Sequence, residues 1–163
     1  MALPLTATVS GNIGRIEAGG VQAISAGTGI RHSEHNLGAG PLRLFQIWLR
    51  PRANGGEPPW NTRRFPKQDR ANQFVVLASG LSADSEALPI RADARVLGAT
   101  LPAGVRVQYE LKDFRYAYLA PARGAVEVNG FRLAVSDGIA ALEETDLTIS
   151  ATKDSEVILV VTA

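Results

Sequence analysis

The chain has 163 residues, enough for one domain of ordinary size or for one domain and a fragment of another, and its 45% apolar content can build a core. Its 17 basic and 16 acidic residues leave a formal net charge of +1, so no global field attracts nucleic acid or an anionic membrane. Zero cysteines exclude disulfides, thiolate metal sites and a cysteine nucleophile, and only two histidines exclude any three-histidine site within one chain.

Short apolar runs separated by 16 glycines and 9 prolines predict strands rather than long helices. The strands predicted in chain order are 42–49, 73–77, 105–111, 125–129, 131–135, 147–151 and 156–162. Asn129 and Gly130 separate two of these runs and predict a tight hairpin turn, because both residues accept positive φ. Only two brief helices are expected, near 81–87 and around Arg70. The pattern predicts an all-β sandwich or barrel.

Between the first and second predicted strands, the composition changes. Residues 50–70 hold four prolines, a glycine pair, six basic residues and two acidic ones. Such a stretch is typical of a linker. A basic linker can touch phosphate or an acidic partner, but a solvated connector that packs on neighbouring carboxylates is the more common structure. We therefore favour the connector.

The residues with the clearest chemical potential are His32 and Glu34. Side chains two apart in a strand share a face, so these two should point together while Ser33 and His35 point away. An imidazole nitrogen and a carboxylate oxygen that converge on one point suit iron, nickel or copper. Two ligands are only half of the four that a mononuclear metal site of this kind needs. A surface ion pair or a core histidine held by a carboxylate is the alternative that the spacing leaves open.

Several segments of the sequence closely resemble the pirin family, and specifically bacterial pirin-like proteins known as quercetin 2,3-dioxygenases. The motifs are AGTGIRHSE at 26–34, LFQIWLRP at 44–51 and AVEVNG at 125–130. The resemblance implies two tandem cupin barrels, each a double-stranded β-helix, with a mononuclear metal in the first. It also implies that the metal, usually iron, is bound by an early His-x-His pair together with His32 and Glu34, and that Glu34 can accept a substrate proton.

The chain departs from the family pattern at its start, because no histidine precedes Ser25. Compared with the family, roughly the first third is missing. We therefore expect residues 1–50 to form the back half of an N-terminal cupin, residues 51–70 to form a Pro/Arg-rich linker, and residues 71–163 to form a C-terminal cupin. No histidine follows His35, so the second barrel is expected to be structural or ligand-binding.

These expectations define a pirin-like cupin protein with an incomplete mononuclear metal site, in a binding, regulatory or degenerate role. The alternative is a quercetin 2,3-dioxygenase-type enzyme whose site is completed by another chain or segment. The expected metal is iron, with nickel or copper as alternatives, or no metal is bound. A partial barrel leaves open strand edges, which predicts a homodimer. We also expect a small aromatic or flavonol ligand and a cytoplasmic location. We expect no binding to membranes and no direct binding to nucleic acid.

Overall fold

The computed structural model describes residues 4–8 and 13–163. The N-terminal strands are β1 (Pro4–Thr8), β2 (Ile13–Arg15), β3 (Gly20–Ile24), β4 (His32–Asn36) and β5 (Trp60–Arg64). In the first sheet β1 lies between β2 and β4, and both neighbours are antiparallel to it. In the second sheet β3 pairs with β5. The N-terminal part therefore consists of two small sheets.

The rest of the chain forms two larger sheets. A 3-10 helix (Lys67–Arg70) precedes β6 (Val75–Ser79), β7 (Leu88–Pro89), β8 (Ala94–Leu101), β9 (Arg106–Glu110), β10 (Tyr116–Arg123), β11 (Ala125–Val128), β12 (Phe131–Ala134), β13 (Ile139–Leu142), β14 (Asp146–Ala151) and β15 (Ser155–Thr162). The six-stranded sheet has the order β13-β10-β15-β8-β6-β7, and the four-stranded sheet has the order β12-β11-β14-β9. All pairings in these sheets are antiparallel except that of β6 with β7.

The two larger sheets enclose one apolar core. Leu119 and Leu159 of the six-stranded sheet belong to the same buried cluster as Val126 and Ile149 of the four-stranded sheet. Along β15 every second residue is buried, as the period-two pattern of its sequence predicts. Burying each such aliphatic side chain stabilises the fold by roughly 1.5–3 kcal/mol. The prediction of an all-β fold is therefore confirmed.

Strand β8 has apolar contacts on both of its faces. Leu97 belongs to the core between the two larger sheets, whereas its neighbour Val96 belongs to a second buried cluster. That second cluster also contains Ala23 of β3 and Phe65, which directly follows β5. Because adjacent residues of a strand point to opposite faces, the β3–β5 sheet covers the outer face of the six-stranded sheet.

Local predictions had mixed outcomes. Asn129 (φ 46°) and Gly130 (φ 89°) form the predicted turn between β11 and β12. The brief helix around Arg70 is present as the 3-10 helix, whereas residues 81–87 form turns. The predicted strand at 42–49 was wrong, since β4 ends at Asn36 and the next strand begins at Trp60. Alternating apolar residues form a strand only when a neighbouring strand can pair with their backbone.

The segment predicted as a linker contains β5, and its basic side chains bind carboxylates of other elements. Salt bridges join Arg52 to Asp93, Arg63 to Glu86, Arg64 to Glu17 and Lys67 to Glu156. The ion pairs agree with the expected packing on neighbouring carboxylates, but a paired strand and the buried Phe65 make the segment more than a solvated connector. The division of the chain into three parts stays a prediction. Across residues 4–8 and 13–163, no helix is both long and apolar enough to cross a membrane.

Candidate functional site

Strand β4 carries the residues that the sequence singles out. It pairs with β1 so that His32 lies opposite Thr8 and Glu34 lies opposite Thr6. All five residues of β4 are exposed to solvent. Because alternate residues of a strand share a face, His32 and Glu34 point to one side of the sheet, while Ser33 and His35 point to the other. The strand geometry therefore has the form that the sequence predicts.

The turn ahead of β4 depends on glycine. Gly27 and Gly29 have φ values of 54° and 125°, a region that other residues rarely adopt. A Cβ atom on Gly27 would lie only 2.2 Å from the carbonyl oxygen of Gly56. The amide of Thr28 donates a hydrogen bond to that same oxygen at 3.1 Å. These glycines therefore let the chain turn sharply before the histidine strand.

His32 and Glu34 are not grouped with a further metal-ligating side chain among the described residues. Within residues 4–8 and 13–163, no group of three or more histidine, cysteine, aspartate or glutamate residues could hold a metal ion. The chain has only two histidines, and His35 lies on the opposite face of β4 from His32. One copy therefore presents His32 and Glu34 as two donors on an open surface.

The region that follows β4 exposes large apolar side chains. Leu37, Phe45 and Trp48 are 53%, 50% and 84% exposed, and Leu44 and Ile47 are also exposed. Large exposed apolar patches mark sites of association, and these side chains, which lie close together in sequence, are therefore a second candidate feature of the N-terminal part.

The core between the two larger sheets is built of apolar side chains rather than of histidines and carboxylates. Its largest fully buried side chains are all leucine, isoleucine or valine. A shallow polar depression lies on the four-stranded sheet, lined by Arg106, Glu127, Asn129, Gly130, Thr148 and Ser150. It belongs to a different sheet from β4 and is open to solvent. The structure therefore does not bring this depression together with His32 and Glu34.

A charged cluster that sequence reasoning missed lies at the end of β6. Arg95 donates two hydrogen bonds to the Asp84 carboxylate, at 2.6 and 3.0 Å, and the Ser79 hydroxyl donates a third. The Arg95 guanidinium also lies 5.4 Å from the centre of the Phe114 ring, within range of a cation–π contact. Hydrogen bonding from Arg95 lowers the pKa of Asp84 below its usual 3.8, despite partial burial. This cluster fixes the loop after β6 to β8.

The Asp84 pKa predicts how stability depends on acid. A carboxyl group whose pKa is lowered by folding adds stability above its unfolded pKa, and loses it as the pH falls through the folded pKa. We expect the free energy of unfolding to decrease below about pH 4, and Asp84→Asn to be less stable at pH 7 with a shallower acid dependence. Urea unfolding from pH 7 to pH 2 measures both effects. The exposed Asp113→Asn is the matched control, and an identical pH profile for the two variants would contradict the prediction.

Comparisons with known proteins agree with the fold and with the motif around β4. The sequence profile described as "Quercetinase C-terminal cupin domain" matches residues 76–160, and the profile described as "Pirin" matches residues 8–49. A pirin-like protein of Caulobacter vibrioides is 55% identical over 92% of this chain and 65% of its own length. A quercetin 2,3-dioxygenase of Escherichia coli K12 is 35% identical over 91% of this chain and 63% of its own.

Solved structures add a comparison in three dimensions. The crystal structure of YhhW from Escherichia coli is 31% identical, with a TM-score of 0.88 over 99% of this chain and 68% of that one. The bacterial pirin YhhW in complex with nickel(II) has a TM-score of 0.84 at the same identity, over 99% of this chain and 72% of that one. The chain spans about two thirds of the length of these relatives.

Proposed function

This chain belongs to the pirin family of cupin proteins, and we propose that it is a binding or regulatory member whose mononuclear metal site is incomplete in one copy. The observation that carries the proposal is the placement of His32 and Glu34 on one exposed face of β4. In this proposal, residues 1–50 are a partial N-terminal cupin, residues 71–163 are the C-terminal cupin, and residues 51–70 connect them.

The metal in this proposal is divalent. Iron is the first candidate, with nickel and copper as alternatives, since an imidazole and a carboxylate are suitable ligands for each of them. The related YhhW has been solved with nickel(II), which makes nickel a practical probe. When bound, such a metal supplies a positive centre for a ligand oxygen. The residues of this chain supply the donors, and the exposed β4 face lets a ligand approach them.

Nickel titration of the purified protein, after dialysis against a chelator, tests the proposal. We expect His32→Ala and Glu34→Gln each to weaken nickel binding by at least roughly tenfold, because even residues that only support a metal ligand change affinity by that amount. His35→Ala is the matched control, since its side chain lies on the other face of the same strand. Less than about a tenth of an equivalent of bound nickel would exclude a tight metal site and leave the degenerate role, and equal loss in all three variants would overturn the assignment of His32 and Glu34 as ligands.

The second candidate function is a metal-dependent dioxygenase of the quercetin 2,3-dioxygenase type. Relatives with that name favour it, including the Escherichia coli protein at 35% identity. In this candidate a flavonol or similar aromatic ligand approaches the β4 face, and Glu34 accepts the proton of a substrate hydroxyl. Loss of quercetin absorbance together with dioxygen uptake, both abolished in Glu34→Gln and retained in His35→Ala, would establish it. Stoichiometric nickel or iron without either signal would favour the binding role.

A further inference from the structure

We propose that the Asp84 carboxylate fills a binding site for a small aromatic carboxylate, at one end of the core between the two larger sheets. Arg95 is the anchor of this site, and Asp84 is hydrogen-bonded to it. An external carboxylate must displace Asp84 to reach Arg95, so residues 81–87, the lid, control access to the site. The site lies in the C-terminal part of the chain and involves neither His32, Glu34 nor a metal.

Arg95 lies on the core face of β8. Alternate residues of a strand share a face, and Leu97, two residues along the strand, belongs to the buried cluster between the two larger sheets. The Arg95 guanidinium lies 5.4 Å from the ring centre of Phe114, another member of that cluster. Partial burial of an ion costs free energy, and charged groups in such places are often found at binding sites. Arg95 is therefore a candidate anion-binding group at this end of the core.

The contacts of Asp84 are those of a bound carboxylate ligand. The Nε and Nη2 atoms of Arg95 donate to its two oxygens, at 2.6 and 3.0 Å. Ser79, which lies opposite Arg95 on β6, donates its hydroxyl to one of the same oxygens at 2.5 Å. A two-point contact with a guanidinium is the usual geometry by which arginine binds carboxylates. A carboxylate from outside the chain can therefore make the same hydrogen bonds.

Aromatic side chains surround Arg95 on the side that faces the core. Besides Phe114, Tyr109 contacts the guanidinium: hydrogen bonding to Asp84, and to a lesser extent to Tyr109, raises the pKa of Arg95. The Tyr109 ring meets the Phe74 ring edge to face, with ring centres 5.6 Å apart and planes at 72°. Both rings are only partly buried against the core. A ligand that joins a carboxylate to an aromatic ring can place the ring here while its carboxylate binds Arg95.

The lid is built from local turns. It connects β6 to β7, and most of its residues are exposed. The amide of Asp84 donates to the carbonyl oxygen of Leu81 at 3.2 Å, and the amide of Ala87 donates to the carbonyl oxygen of Asp84 at 3.0 Å. Both of these hydrogen bonds close turns within the lid itself. A segment with such local bonds can move without breaking the pairing of the sheet beside it.

Side-chain ion pairs hold the lid closed. Glu86 pairs with Arg63, but both side chains are at least 45% exposed, and exposed pairs add little stability. The Asp84–Arg95 pair is less exposed and is therefore the stronger of the two contacts. An open state populated at about 10% or less weakens the apparent affinity for a ligand at least about tenfold. Removing the Asp84 carboxylate should consequently reveal the full affinity of the site.

Benzoate binding, followed by the NMR signal of the Arg95 Nε–H group, tests the proposal. We expect Asp84→Ala to bind benzoate at least about tenfold more tightly than the natural chain, because closure of the lid no longer competes with the ligand. Acetate should bind Asp84→Ala more weakly than benzoate, since it has no ring to pack on Phe114 and Tyr109. Benzamide, which has the ring without the charge, should bind neither chain.

The matched control is Glu143→Ala. Arg115 pairs with the Glu143 carboxylate and lies 5.8 Å from the ring centre of Tyr116, so the same three kinds of side chain meet on the exposed surface. Removing Glu143 frees an arginine beside an aromatic ring without opening a site on the core face. Glu143→Ala should therefore bind benzoate no more tightly than the natural chain does. Adding Arg95→Met to Asp84→Ala should abolish benzoate binding.

The natural chain provides a second measurement that holds if Asp84→Ala is too unstable to isolate. During a benzoate titration, the Arg95 Nε–H signal and the backbone amide signals of residues 81–87 should shift with one common dissociation constant. A common constant is expected because the same event fills the site and opens the lid. The absence of these shifts would overturn the proposal, and so would different constants for Arg95 and the lid.

The remaining outcomes separate this site from the proposed function. Equal benzoate affinity in Asp84→Ala and the natural chain would show that Asp84 covers no ligand site. Acetate binding to Asp84→Ala as tightly as benzoate would show that a small anion merely replaces a missing side chain, and would also overturn the proposal. Nickel binding through His32 and Glu34 should be unchanged in Asp84→Ala, so a failure at either site leaves the other intact.

Discussion

Replacing Leu159 with alanine is expected to lower the free energy of unfolding by about 2–5 kcal/mol. Leu159 is fully buried on β15, the strand that lies between β8 and β10 in the six-stranded sheet. Its removal costs the transfer free energy of the lost methyl groups and leaves a cavity among rigid neighbours. Urea unfolding at pH 7, followed by circular dichroism, measures the change.

The matched control for this substitution is Leu142→Ala. Leu142 is the same residue type in the same sheet, on β13, but its side chain is 58% exposed. We expect it to change stability by no more than about 0.5 kcal/mol, as surface substitutions usually do. Equal effects of the two substitutions would contradict the placement of β15 at the centre of the core.

Sequence analysis found most clearly the strands along which burial alternates. In β14 and β15, buried and less buried residues alternate along the whole strand, and this gives the period-two signal. Strand β8 was missed because both of its faces pack against other residues, which removes the alternation. Strand β10 was missed for a local reason: it contains Pro121, a residue that sequence rules place outside regular strands.

The candidate site could be predicted only in part. His32 and Glu34 share a face because side chains two residues apart in a strand point to the same side of the sheet. This part of the site follows from strand geometry alone. No such local rule predicts the Asp84–Arg95 ion pair, because a loop and β7 separate the two residues in the sequence.

Glu156→Gln is expected to lower the free energy of unfolding by about 1–3 kcal/mol, because it leaves a buried arginine without its anionic partner. Glu156 lies on β15, and its carboxylate contacts both Lys67 and Arg70 of the 3-10 helix. The Arg70 guanidinium lies over Gly98 of β8 and is only 6% exposed. Removing the negative charge therefore leaves a largely buried positive charge without its carboxylate partner.

A double-mutant cycle with Arg70→Met separates this electrostatic effect from lost packing. Methionine keeps much of the side-chain length but has no charge, so Glu156→Gln in the Arg70→Met background should cost less than it does in the natural chain. We expect a coupling of about 0.5–3 kcal/mol from urea unfolding at pH 7. Strict additivity would mean that Glu156 stabilises the chain through Lys67 alone. The 3-10 helix would then be joined to the six-stranded sheet by an exposed ion pair, and the buried arginine would contribute only through its packing on Gly98.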